Sequence, residues 1–132
     1  MPAAPTRRMC AVSRKSAIQL YARIRRKCGY REWKILTRWL EKYVRNWAHC
    51  DGLCADVLGA MLIVHPEWVW ELRGWAGGTE KYQRRAALVT PLKGIRRGMF
   101  RSEAEELLGL LANAREDIVK KGLVWMRKVL AR

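Results

Sequence analysis

The sequence has few acidic residues, no long apolar run and no secretory leader. Asp and Glu number 12 against 27 Lys and Arg, which gives a formal net charge of +15. A surface this positive favours a polyanionic partner, either nucleic acid or anionic lipid. The longest wholly apolar run, residues 57–64, is too short to span a bilayer, so we expect no transmembrane helix. Residues 1–8 lack the hydrophobic region of a signal peptide, so we expect a cytoplasmic protein, associated with the nucleoid if the source is prokaryotic.

The sequence also lacks strand patterns and a complete set of metal ligands. No stretch alternates apolar and polar residues for long enough to predict a half-buried strand. The cysteines are Cys10, Cys28, Cys50 and Cys54, and in a reducing compartment we expect them to be free thiols. Cys50 and Cys54 flank one helical turn beside His49, but no second Cys/His pair completes a tetrahedral site. We therefore expect no metal and no cofactor.

Helical periodicity recurs along the chain and predicts an all-α fold of about seven helices. They cover approximately residues 13–28, 31–44, 46–64, 66–76, 79–95, 102–111 and 115–130. Pro66 suits the first turn of the fourth helix, and Pro91 should kink the fifth. Thr79 is a candidate cap of the fifth helix, and Ser102 with Glu105 fits a capping box for the sixth.

The helices are joined by short turns, which is typical of an α-bundle or an α-solenoid. No strict internal repeat is visible, but helical-hairpin repeats of the HEAT type are degenerate. We expect a basic, flexible tail at residues 1–12 and a single helical domain at 13–132. Residues 1–45 carry 13 Lys/Arg against 2 acids, so most of the net positive charge lies in this segment. The concave face of a solenoid would suit a long polyanion better than a closed bundle would.

A few side chains are candidates for chemistry. Trp47 and Asp51 are four residues apart and project from the same helix face. Asp51 either balances the positive helix N-terminus or is an anion placed in a positive groove. Arg84 and Arg85 differ by about 100° around a helix, so at most one points at a given site; both could also be simply solvated. Trp125 could line a groove or the core.

Each of the other five tryptophans is expected to pack in the core. They are Trp33, Trp39, Trp68, Trp70 and Trp75.

Three segments, at residues 46–54, 82–88 and 119–125, resemble the AlkD-like DNA alkylation repair family in sequence, order and separation. The resemblance runs from about residue 17 to the end. It implies a HEAT-like solenoid of antiparallel helix pairs with a concave basic face. Members of that family are usually longer at the N-terminus, so the resemblance also implies missing end repeats, whose exposed apolar surface a homodimer could cover.

The resemblance further implies a DNA glycosylase that removes cationic purines, such as N3-methyladenine and N7-methylguanine, from duplex DNA. By this resemblance, the residues that line the lesion site in the family correspond here to Trp47, Asp51, Arg85 and Trp125. Asp51 would stabilise the positively charged sugar and position water, the two indoles would offer π faces, and Arg85 would contact a flanking phosphate.

We assign further DNA contacts to basic residues near that site, which are Arg84, Lys81, Arg96 and Arg97. The alternative is a helical-repeat module that binds DNA or RNA without catalysis. Binding to an anionic membrane surface is a weaker alternative, because the basic and aromatic residues are spread over several helices.

Overall fold

The computed structural model describes residues 29–42, 46 and 50–132, and those residues form helices and turns with no strand among them. In chain order the elements are α1 (Tyr30–Lys42), a π-helical segment π1 (Gly52–Leu58), α2 (Gly59–Val64), a 3₁₀ helix η1 (Pro66–Glu71), α3 (Leu72–Ala76), α4 (Lys81–Val89), α5 (Leu92–Arg96), α6 (Arg101–Leu110) and α7 (Asp117–Leu130). The all-α prediction is confirmed for this part of the chain. The predicted tail at 1–12 and first helix at 13–28 lie outside the described residues.

α1 is amphipathic because its apolar residues recur at helical spacing. Trp33 and Leu40, seven residues apart, are both buried, whereas Lys34 and Arg38 on the opposite face are exposed. The buried indole N–H of Trp33 donates to Glu71 Oε1 at 3.2 Å. This bond satisfies the buried donor and ties α1 to η1.

An aromatic cluster fills the space between α1 and the segment from η1 to α3. The Trp33 ring stacks on Trp75 at a centroid distance of 5.5 Å and meets Trp68 at 5.3 Å. Aromatic pairs at these separations add stability beyond the burial of their area. Core packing is thus confirmed for Trp33 and Trp75. It is wrong for Trp70, which is 55% exposed with the Arg73 guanidinium 4.4 Å from its ring centre.

α4 is the central helix of the described part. It packs against α1, α3, α6, π1 and, most extensively, α7. Its residues 85–89 are all buried, and four of these five are apolar. α7 presents its own buried stripe, which includes Val119, Leu123 and Met126. The buried face of α4 therefore packs against the buried stripe of α7.

Helix boundaries agree with the sequence at Pro66 and differ at Pro91 and at the caps. Pro66 begins η1 after α2 ends at Val64, as predicted. Pro91 separates α4 from α5 instead of kinking one helix, because it lies in a turn after Val89. The cap of α4 is Glu80, whose side chain accepts from the Tyr82 N–H, so the prediction of Thr79 is wrong.

The predicted capping box of α6 is also wrong. α6 begins at Arg101, after Phe100 with φ of 58°, so Ser102 lies inside the first turn. Its hydroxyl pairs with Glu103 at 3.0 Å. Among the described helices none is long and apolar enough to cross a membrane. The solenoid arrangement and antiparallel pairing stay predictions.

Candidate active site

Asp51 and Arg85 form a two-pronged ion pair between the start of π1 and the middle of α4. Arg85 Nε donates to Asp51 Oδ1 at 2.9 Å, and Arg85 Nη2 donates to Asp51 Oδ2 at 2.8 Å. Such parallel bonds are shorter and stronger than neutral hydrogen bonds, and they fix the plane of the carboxylate. The Asp51 carboxylate raises the pKa of the Arg85 guanidinium further, so this cation stays charged.

α7 is the third element that contributes to the site, because two of its residues contact Arg85. The remaining nitrogen of the guanidinium, Arg85 Nη1, donates to the Ile118 carbonyl at 2.7 Å. The guanidinium carbon also lies 5.9 Å from the centre of the Trp125 ring, within the range of a cation–π contact. Gly122 lets α7 lie close to α4, because a Cβ there would lie only 3.0 Å from Leu88 Cδ1, whereas its distance of 3.7 Å to Arg85 Nη1 is an ordinary contact. Arg85 therefore connects Asp51 to the helix that carries Trp125.

The two ends of the ion pair differ in their access to solvent. The Asp51 side chain is 19% exposed, whereas that of Arg85 is only 8% exposed. The carboxylate is consequently the more accessible end. A carboxylate has about four lone-pair positions, and Arg85 occupies two of them. Asp51 can still accept hydrogen bonds from a ligand or from water.

Two buried thiols lie behind this ion pair. Cys50 and Cys54 are both fully buried, and Cys50 Sγ lies 3.4 Å from the Tyr82 carbonyl, to which it donates. Burial raises the pKa of the Cys54 thiol well above its ordinary value, and the neighbouring Cys50 raises it further. Both cysteines are free, as the sequence predicted. Neutral buried thiols act as small apolar side chains, so these two pack the interior of the site.

The other predicted site residues lie around this centre. Arg84 is bonded within the chain, to the carbonyls of Gly78 and Thr79 and to the Glu116 carboxylate. Lys81 is exposed on the first turn of α4.

Arg96 and Arg97, which the sequence analysis assigned as DNA contacts, are exposed at the end of α5. Trp47 lies outside the described residues. The structure therefore brings together Asp51, Arg85 and Trp125. The phosphate contacts assigned to both arginines of α4 stay predictions, and their guanidiniums are occupied by protein partners.

Sequence reasoning missed the partner that anchors Arg85. A main-chain carbonyl such as that of Ile118 has no sequence signature, since every residue carries one. Gly122, a glycine inside a predicted helix, indicates the close approach of another group, but the group that approaches it is the Leu88 side chain. Among the described residues no group of three or more His, Cys, Asp or Glu could bind a metal ion.

A comparison with known families shows which family the chain belongs to. A family model for the DNA alkylation repair enzyme matches residues 13–132. The chain therefore belongs to the DNA alkylation repair enzyme family, and a role in DNA repair follows from that membership. Searches of curated proteins and of solved structures gave no match.

Proposed function

We propose that this protein is a DNA glycosylase that hydrolyses the N-glycosidic bond of cationic alkylated purines, of the N3-methyladenine and N7-methylguanine type, in duplex DNA. The proposal places the domain at residues 13–132 in a HEAT-like solenoid whose concave face receives the duplex. The observation that carries it is the oriented, partly exposed carboxylate of Asp51, held by Arg85, whose guanidinium also lies within cation–π range of Trp125. Family membership supports alkylated DNA as the substrate class.

The reaction needs little more than charge stabilisation and a positioned water. The alkylated purine already carries a positive charge, so it leaves without prior protonation. When the bond from C1′ to the base nitrogen breaks, the electron pair neutralises the purine and positive charge develops on the sugar. Water then adds to C1′ and loses a proton. A carboxylate near C1′ attracts the developing cation and can accept a hydrogen bond from the attacking water.

The surroundings of Asp51 suit this role. Arg85 takes one lone pair on each carboxylate oxygen, which leaves about two positions for water or sugar. A buried guanidinium next to a cationic lesion would be repulsive on its own. Here it lies on the inner side of the pair, so an approaching cation meets the carboxylate first. We therefore assign Arg85 the positioning of Asp51, and Trp125 contact with the lesion or its sugar.

The decisive experiment compares two Asp→Asn substitutions in neighbouring turns. Asp51→Asn keeps the side-chain shape but removes the charge, and we expect base release from alkylated duplex DNA to fall about 10²-fold or more. Asp56→Asn is the matched control, because Asp56 is exposed on π1 and pairs only loosely with Lys93 at 3.6 Å. Single-turnover release of methylated base by both variants gives the readout. Thermal unfolding and duplex binding show whether each variant is folded.

Two outcomes would contradict the proposal. Equal release by wild type and Asp51→Asn would remove Asp51 from the mechanism. Absence of release by the wild type, together with tight and salt-sensitive binding, would favour a non-catalytic DNA-binding module.

A further inference from the structure

Two large apolar side chains are exposed where η1 and α3 meet α6, outside the candidate site. Trp70 is 55% exposed and Leu110 is 57% exposed. Arg73 links them, because its guanidinium carbon lies 4.4 Å from the Trp70 ring centre and its Nη2 donates to Glu106 at 2.7 Å. Glu106 precedes Leu110 by one turn of α6, so these two share a helix face. We call the surface formed by Trp70, Arg73, Glu106 and Leu110 the tryptophan face.

A groove adjoins the tryptophan face beside Leu110. Its volume is about 390 Å³, and it lies between the end of α3 and the turn that joins α6 to α7. Half of its lining residues are apolar, and these are Ala76, Leu110, Leu111 and Ala114. The Arg84 guanidinium in the lining is already paired with the Glu116 carboxylate. The groove therefore suits an apolar side chain of a partner better than a charged one.

The Trp70 indole is held in place before any partner binds. Arg73 lies against the ring and is itself fixed by its bond to Glu106. Trp and Arg are the side chains that most often dominate the energy of protein–protein binding. Binding to an ordered side chain also costs less conformational entropy than binding to a free one. These properties are typical of a docking site for protein.

The charge of this region is opposite to that of the rest of the molecule. Residues 66–76 and 101–117, which contain the tryptophan face, have seven acidic and three basic residues, whereas the other residues have five acidic and 24 basic. Glu67 is 66% exposed and lies three residues before Trp70 in η1, where positions i and i+3 align. At physiological salt a charge acts over about 8 Å, so a ligand here meets mainly these local carboxylates. They repel phosphate and anionic lipid and attract a cationic protein segment.

We propose that the tryptophan face is a docking surface for a cationic amphipathic segment of another protein. An apolar side chain of that segment enters the groove beside Leu110, and its Lys or Arg side chains pair with Glu67 and Glu103. Glu103 is partly exposed and lies about 20° around α6 from Leu110. Exposed ion pairs add little affinity, so the indole and the groove supply most of it and the carboxylates select the partner. This inference does not depend on catalysis at Asp51.

The test measures binding of a fluorescein-labelled synthetic peptide of lysine and leucine, with its leucines at helical spacing. Fluorescence anisotropy at physiological salt and without DNA gives the affinity. For Trp70→Ala/Leu110→Ala we expect about a tenfold loss or more, because the variant removes both apolar anchors. The matched control is Tyr30→Ala/Val124→Ala, since both side chains are 47% exposed on other surfaces. Its loss should be less than about threefold.

A second pair of variants tests the charge and does not alter the apolar anchors. Glu103→Lys reverses a charge beside Leu110, whereas Glu105→Lys makes the same change about 140° around α6 from Leu110. We expect Glu103→Lys to weaken peptide binding at least about threefold more than Glu105→Lys does. Unchanged thermal unfolding would show that all four variants are folded.

Three outcomes would overturn the proposal. The first is no binding by the wild type or equal losses within both matched pairs. The second is displacement of the peptide by undamaged duplex DNA, which would make the face a nucleic-acid surface. The third is a wild-type dimer in sedimentation that Trp70→Ala/Leu110→Ala converts to monomer, which would make a second copy the occupant. Base release is a separate readout, and we expect Trp70→Ala/Leu110→Ala to keep the wild-type single-turnover rate, whereas Asp51→Asn loses it.

Discussion

Arg85 connects three parts of the molecule through one guanidinium. Its bonds reach the Asp51 carboxylate and the Ile118 carbonyl, and its central carbon lies 5.9 Å from the centre of the Trp125 ring. A lysine has one compact ammonium group and cannot reproduce these directed bonds. The identity of the side chain therefore matters here, as well as its charge.

We expect Arg85→Lys to lower the free energy of unfolding by about 1–3 kcal/mol, because it leaves largely buried acceptors without their donors. The matched control is Arg73→Lys, since Arg73 pairs with Glu106 through one bond on the surface. That change should cost about 0.5 kcal/mol or less. Urea unfolding of both variants measures the difference. Equal effects would show that the planar fork of Arg85 contributes nothing beyond charge.

The buried thiol of Cys54 should make stability depend on pH in the alkaline range. Its pKa in the folded protein is raised above the ordinary value of 9.0, so above that pH the unfolded state loses a proton that the folded state keeps. The thiol's contribution is fully present below pH 9.0 and is lost as the pH rises towards the folded pKa.

We therefore expect the free energy of unfolding to fall by up to about 1.4 kcal/mol per pH unit in this window from Cys54 alone. Cys54→Ser removes the titrating group, so its profile above pH 9.0 should be flatter by that amount. Urea unfolding at several alkaline pH values provides the measurement. Parallel profiles for the two proteins would contradict the prediction.

The site could be predicted only in part from single residues. Asp51, Arg85 and Trp125 were selected from three segments, and the structure places these three side chains together. Their direct pairing could not be read from the sequence, because residues 34 positions apart become neighbours only when α4 packs against π1. The phosphate contact of Arg85 was an expectation from the family resemblance and from the affinity of a guanidinium for phosphate, neither of which shows that Asp51 already occupies two of its nitrogens.

At the scale of the elements, the join between π1 and α2 depends on a close approach. A Cβ at Gly59 would lie 3.0 Å from the Cys54 carbonyl oxygen and 3.1 Å from that of Thr90. Both atoms belong to the backbone, so they cannot move aside as a flexible side chain would. Gly59 thus allows the first turn of α2 to lie against the end of α4, beside the buried thiols.

We expect Gly59→Ala to lower the free energy of unfolding by about 1–3 kcal/mol through overpacking. Gly74 in α3 is the matched control, because a Cβ there meets nothing within 4 Å. Gly74→Ala should be neutral or stabilise by up to about 1 kcal/mol, since alanine favours the helix. Thermal unfolding distinguishes the two variants. If both raised the melting temperature, the contact at Gly59 would not limit the packing.

Element positions were easier to predict than element ends. The predicted helices at 31–44 and 115–130 correspond to α1 and α7, whose apolar residues keep a clear helical period. The cap at Thr79 failed because several polar residues compete at a helix start, and Glu80 reaches the Tyr82 N–H instead. The π-helical form of residues 52–58 has no sequence pattern distinct from that of an α-helix.

For the whole molecule, composition predicted a polyanionic partner, and family membership agrees with that prediction. Composition could not show which cations are available. Arg84 and Arg85 are occupied inside the fold, whereas Lys121 and Lys128 remain exposed. This distribution follows from tertiary packing, which buries one side of each helix and leaves the other side in solvent.

In the Asp51–Arg85 pair the carboxylate is the more exposed member, so the negative end of the pair is the end that solvent reaches more easily. In a molecule with a net charge of +15, an accessible carboxylate is a local exception to the overall attraction for polyanions. A strand drawn to the protein is repelled at that spot wherever it presents a phosphate. An uncharged deoxyribose is not repelled in this way. The carboxylate would therefore favour the position of the strand in which a sugar, and not a phosphate, lies against Asp51.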